Sequence, residues 1–239
     1  MAAKRKRIAP AYLFALTAIM MWTFFSFGCQ HSREGTFYER KMTAPIEKIV
    51  VLGFKPAMPK GRSPAMVRSP LSGAAFMAEP VPRDVIAKMT ENLFKRILEY
   101  KDYDVIGPGQ AKGVFENLVS VNSGVSDREI FGKIGAAFGA DAVLVGFIYR
   151  WQEREGTNYS VRRPASVAFD LYLLEPEDGA VLWGAKFEKT QQSLSENIFD
   201  FGTFLKGKGK WMTAAGLADL GLNEMLNESP LKKKVRSNN

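Results

Sequence analysis

Residues 163–183 read RPASVAFDLYLLEPEDGAVLW, and the pattern of this stretch decides the fold. From Ser166 to Leu174, Val167, Phe169, Leu171 and Leu173 alternate with Ala168, Asp170 and Tyr172, which is the period of a β-strand. Glu177-Asp178-Gly179 supplies turn chemistry ahead of another β-rich run over 180–190. Upstream, Ala142 to Trp151 (AVLVGFIYRW) reads as a strand of the same kind, so the three predict an antiparallel meander. Asp170 is an acid in mid-strand among apolar neighbours. A buried carboxylate needs a partner, and an ion pair with an arginine such as Arg150 is the expected one.

Outward from the meander, Ile49–Phe54 (IVVLGF) reads as a buried central strand. Ile86, Met89, Leu93, Ile97 and Tyr100 fall at spacings of three and four and predict an amphipathic helix over 83–100. Tyr103 to Ile106 reads as a strand and Gln110 to Val119 as a short helix. Ser126 and Glu129 form a capping box that opens a helix running to Phe138. Gly132, Gly135 and Gly139 weaken that helix in isolation, so a close neighbour is expected. A second box, Ser193 and Glu196, precedes a helix over 197–205, and Met212 to Leu226 is the last helix. The order is that of a single α/β domain over 46–230: a mixed β-sheet of about five strands, with an antiparallel C-terminal meander, flanked by helices. Residues 55–82 hold six of the twelve prolines, which argues for a long loop with neither a strand pair nor a helix in it.

The formal charge of +8 is carried by the two ends of the chain. Lys4, Arg5, Lys6 and Arg7 supply four positive charges, and Lys232, Lys233, Lys234 and Arg236 in the tail 231–239 supply four more. Residues 29–230 are therefore neutral overall, which disfavours a nucleic-acid groove spread over a domain face. One Cys and one His, Cys29 and His31, exclude a Cys/His metal cluster, a Ser-His-Asp triad or a disulfide framework inside the folded part.

The basic cluster at 4–7 precedes an uncharged run from Ala11 to Phe27, and together they form the two opening regions of a signal peptide over 1–28. The run closes Ser26-Phe27-Gly28-Cys29, which resembles a bacterial lipoprotein signal, where a small residue precedes a Cys that becomes acylated and N-terminal. Gly28 and Cys29 fit; Ser26 and Phe27 depart from the usual Leu and small residue. Simple secretion and an uncleaved single-span anchor are the other readings, and all three export the domain. By resemblance to lipoprotein sorting, Gln30 in place of Asp points to the outer membrane. Residues 29–45 read as a tether.

IVVLGF, GADAVLVGFIYRW (139–151) and the 163–183 stretch together resemble a family of bacterial envelope lipoproteins. The resemblance implies the fold of the penicillin-binding-protein activator LpoB, the curli secretion protein CsgG and the N-terminal domain of TolB. It covers roughly residues 46–190 and carries no catalytic motif.

Gly202 to Gly209 approaches a phosphate-binding loop, yet Gly209 stands where a magnesium-binding hydroxyl is needed, so no nucleotide is expected. Gly107-Pro108-Gly109 departs from dinucleotide-binding spacing, and no cofactor is expected there either. The candidate interaction surface is the hairpin end over 149–163. There Tyr149, Trp151 and Tyr159 lie near Arg154, Arg162 and Arg163, the residue types that dominate binding hot spots. The reading is an exported protein, held to the bilayer through acylated Cys29, that binds an envelope protein without catalysis. A CsgG-like secretion subunit is the alternative, although a membrane hairpin takes strands of ~9–11 residues, which neither 152–164 nor the proline-rich 55–82 supplies. A carboxylate-dependent wall hydrolase is the third reading.

Overall fold

The meander forms as its alternation requires. In the computed structural model, β6 (Ala142–Gln152), β9 (Ser166–Leu174) and β10 (Val181–Thr190) pair antiparallel in sequence order. β2 (Lys48–Pro56) lies parallel to β6 and to β5 (Asp104–Ile106), and β1 (Gly35–Phe37) pairs with the outer edge of β10. The sheet order is β1-β10-β9-β6-β2-β5. The structure describes residues 35–37, 40–42, 44–121, 124–157, 160–191 and 211–232, all within a unit spanning Glu34–Asn239.

Alternation sends the two halves of each strand to opposite layers. Ile49, Val51, Val167, Phe169, Leu171 and Leu173 face one layer, covered by α1 (Arg83–Leu98) and α4 (Ala214–Glu228). Val50, Leu52, Val143, Val145, Ala168 and Tyr172 face the other, covered by α2 (Pro108–Val121) and α3 (Asp127–Ala137). Met89, Leu93 and Ile97 of the predicted stripe are the buried residues of α1. Arg96 of α1 pairs with Asp219 of α4, tying the two helices of that layer together. Ser126 caps α3 by accepting the Glu129 N–H at 3.3 Å. Thr213 caps α4 by accepting that of Gly216 at 3.1 Å, which starts this helix two residues later than its apolar pattern suggests.

Two glycine positions set packing distances. Gly53 adopts φ +75° where the β2–β6 register shifts, and a Cβ there would lie 2.1 Å from Thr90 Cγ2 of α1. In α3, a Cβ on Gly132 would meet the Pro176 carbonyl at 2.8 Å and one on Gly135 the Pro176 ring at 2.8 Å. The expected close neighbour is thus the β9–β10 turn. Gly139 differs: it ends the helix at φ +57° with open space around it.

Two expectations need correction. Residues 55–82 contain a strand pair, β3 (Ala65–Arg68) and β4 (Ala75–Ala78), because Pro64, Pro70 and Pro80 flank these short segments and leave their amides intact. Within 29–45, Gly35–Phe37 is not free tether but adds to the sheet edge. The helix expected over 197–205, the near phosphate loop and the tail beyond Lys232 lie outside the described residues.

Candidate functional site

The β3–β4 hairpin folds across the α2/α3 face of the sheet and closes over Asp170. Val67, Phe76 and Ala78 turn inward, and Phe76 stacks on Tyr149 at 3.9 Å between ring centroids and 12° between planes. At the hairpin's turn, Arg128 of α3 donates to the Leu71 carbonyl at 2.7 Å. Backbone bonds from Ala57 N to Ile148 O and from Glu79 N to Tyr149 O fix its two ends to β6.

Beneath it lies a polar cluster. Asp170 is fully buried, and its Oδ2 accepts the Tyr149 hydroxyl at 2.7 Å and the Tyr172 hydroxyl at 2.5 Å. Tyr172 Oη also lies 2.7 Å from Ser69 Oγ and 2.9 Å from Ser72 Oγ, both on the hairpin's turn. A phenol has one proton and can accept two, so Tyr172 can give its proton to an ionised Asp170 and take those of both serines. Burial pushes the Asp170 carboxyl up to about 7, although the bonds from Tyr172, Tyr149 and Ser69 pull it down. Burial and the neighbouring carboxylate push both phenols up.

This changes the expected partner of Asp170. Arg150 instead donates to Ser166 Oγ at 2.8 Å, to Glu188 Oε1 at 3.1 Å and to the Met77 carbonyl at 3.2 Å, joining β9, β10 and the hairpin. Tyrosines satisfy Oδ2 without burying a second charge, while Oδ1 is buried with no hydrogen-bond partner among the described residues.

The sequence-derived surface residues separate. Tyr149 is fully buried, so it belongs to the core and not to an exposed patch. Trp151 packs half-buried against the α1/α4 layer, on the far face of the sheet from the hairpin. Residues two apart on a strand share a face, but the β6–β9 register shifts between Ile148 and Arg150 and exchanges the faces after Tyr149. Arg154 donates to the carbonyls of Thr157 at 2.8 Å and Trp211 at 3.0 Å and so holds the approach to α4. Arg163 pairs with Glu155 across the small β7 (Glu155–Gly156) and β8 (Val161–Arg163) ribbon, and Arg162 is exposed. Tyr159 and Cys29 lie outside the described residues.

Sequence reasoning missed the hairpin, although Val67 and Phe76 stand two residues from Pro-bounded or small-residue ends in a β-rich setting. It also missed Lys55, whose ammonium sits 3.5 Å from the Phe115 ring centroid; burial pushes that amine down to about 8, against the attraction of Asp127. Among the described residues, no group of three or more His, Cys, Asp or Glu is placed to hold a metal ion. No helix among them is long and apolar enough to cross a membrane.

A mixed α/β domain whose mid-sheet acid is closed under a hairpin is the class that fold and site define. No protein-family model and no curated protein matches the chain. Among solved structures it is similar to the PelC dodecamer from Paraburkholderia phytofirmans, at 13% identity and TM-score 0.44, covering 81% of this chain and 94% of that one. It is similar to lipoprotein GNA1162 from Neisseria meningitidis at 16% identity and TM-score 0.36, covering 66% and 90%. The LpoB C-terminal domain from Salmonella enterica follows at 13% and 0.37, covering 63% and 88%. At such identities and TM-scores no role passes from those proteins to this chain.

Proposed function

We propose that this chain is an exported lipoprotein of the cell envelope, anchored through Cys29, whose α/β domain binds an envelope protein and catalyses no reaction. The observation that carries the reading is the basic cluster and apolar run ending in Gly28-Cys29, directly ahead of a folded domain. The site supports its second half. A general acid must reach its substrate, and the carboxyl with the raised pKa is sealed beneath Phe76 and hydrogen-bonded to two tyrosines. It stabilises the hairpin rather than meeting solvent. The outer membrane is the proposed location, from Gln30.

The test is to express the full chain in a diderm bacterium and determine the mass of its N-terminal peptide. An acylated N-terminal Cys29, lost together with membrane residence in Cys29→Ala, supports the reading. An unmodified Cys29 or an intact 1–28 segment overturns it. Crosslinking in intact envelopes, followed by identification of what is joined to Arg162-side peptides, tests the binding half.

A further inference from the structure

We propose that the end of the sheet carrying the β3–β4 and β7–β8 hairpins is a docking surface for an anionic lipid membrane. This rests in part on the lipid-anchor reading, since the anchor would bring the surface to the bilayer.

Three independent features meet at this end. The first is charge. From Lys55 to Ala78 the chain holds Lys55, Lys60, Arg62 and Arg68 and no acid. Lys60, Arg62 and Arg68 are exposed, as is Arg162 on β8. Of the acids near this end, Glu155 pairs with Arg163, Glu188 with Arg150, and Glu153 accepts from the N–H groups of Arg154 and Ala214, while Glu79 stands at the hairpin's base. At the opposite end, where β2 and β6 begin and β9 ends, stand Glu47, Asp104, Asp141, Glu175, Glu177 and Asp178, of which Asp104 pairs with Lys48 and both Glu175 and Asp178 with Arg40. The neutral body of the chain is therefore charge-separated along its strands.

The second feature is apolar. Met66 and Met77 are directly opposed across β3 and β4 on the outward face, 62% and 46% exposed. Exposed unbranched side chains beside cations suit a headgroup surface, where the cations meet phosphate and the thioethers enter the acyl boundary.

The third is the path of the chain. β10 runs toward Thr190, which opposes Ser166 at the hairpin end. β1 is antiparallel to it, with Gly35 opposite Lys186 and Phe37 opposite Gly184. Gly35 is thus the end of β1 nearer the hairpins. Cys29 precedes Gly35 by six residues, a reach of at most about 20 Å. Were Cys29 acylated, a tether of that reach would let the hairpin end meet the bilayer.

The experiment uses the full chain reconstituted into vesicles of phosphatidylcholine alone or with phosphatidylglycerol, read by hydrogen–deuterium exchange. Each cation near an anionic surface is worth about fivefold in binding. Exchange over 57–68 should therefore slow about fivefold or more on the anionic vesicles, with no change over 175–180. High salt or the Lys60→Gln/Arg62→Gln pair should remove the effect. Equal exchange on both vesicles, or slowing that survives the double substitution, overturns the docking surface. Flotation on the neutral vesicles reads the anchor separately. A chain that floats on both but shows equal exchange keeps the anchor and loses the surface; one that floats only on the anionic vesicles and shows the slowing loses the anchor and keeps the surface.

Discussion

Asp170 couples the protonation of one residue to the closure of the hairpin. Its folded pKa of about 7 stands above the ordinary carboxylate value of 3.8. The folded state therefore holds the proton more tightly. The stability this confers is complete below about 4 and is lost as pH rises through about 7. The chain has one His, and Lys55, whose amine is pushed down to about 8, begins to lose its charge only at the upper edge of that window and acts with the opposite sign. The melting temperature of the wild type should thus fall between pH 5 and pH 8, while Asp170→Asn should give a nearly level profile. A wild-type profile as flat as that of the variant would show that Asp170 does not titrate there. Tyr149→Phe removes one of the two donors to Oδ2 and should cost about 1–3 kcal/mol in denaturant unfolding, the range for a buried acceptor deprived of a partner.

At the scale of elements, each helix is defined by what it leans against. Gly113 of α2 has open space where a Cβ would stand, whereas Gly132 of α3 faces the Pro176 carbonyl at 2.8 Å. Gly113→Ala should stabilise by up to about 1 kcal/mol through helix propensity alone. Gly132→Ala gains the same propensity but must displace backbone, and a net loss of about 1–3 kcal/mol is expected. Chemical denaturation of the two variants gives opposite signs if α3 is held by the β9–β10 turn. The hairpin offers a second comparison. Phe76→Ala removes the ring stacked on Tyr149, so trypsin should cut at Arg62 and Arg68 faster than in the wild type, while sites in α1 stay protected; equal rates at Arg62 would show that the stack does not hold the hairpin. These elements differ in how far the sequence discloses them. The meander, the α1 stripe and the Ser126 cap are local patterns, readable because each residue's role depends on neighbours within a turn or a strand period. The hairpin is readable only by seeing that the prolines bound Ala65–Arg68 and Ala75–Ala78, and that counting them over 55–82 hides their positions. The face exchange after Tyr149 depends on a register shift against β9, a long-range fact, and for that reason Tyr149 and Trp151 read as one patch and fold as two. Asp170 was recognisable as an acid needing a partner, but its tyrosines come from β6 and from two residues along its own strand, and alternation alone does not decide between them and an arginine.

Across the whole molecule, anchoring and orientation are separable. On the proposed lipoprotein reading, acylated Cys29 would hold the protein to a membrane, because two acyl chains with a third on the new N-terminus hold where a single chain only equilibrates. On the proposed docking surface, the pairing of β1 with β10 would set which way the domain faces. Replacing Thr36 by Pro tests the second without touching the first. A proline removes a backbone N–H and is poorly tolerated inside a paired strand, so β1 should leave the edge of β10 while Cys29 and its signal remain unchanged. The variant should still fractionate with membranes and still yield the acylated N-terminal peptide. Its domain should melt within a few degrees of the wild type, because β1 contributes three residues at the edge of the sheet. What should change is accessibility. With the entry point released, Lys48 at the acidic end and Lys60 beside the hairpin should become equally open to a membrane-impermeant lysine reagent on intact anionic vesicles. In the wild type Lys60 should be the slower to react. If Lys60 reacts at the same rate in both proteins while both remain membrane-bound, β1 does not set the orientation, and the charge separation along the strands must do so unaided.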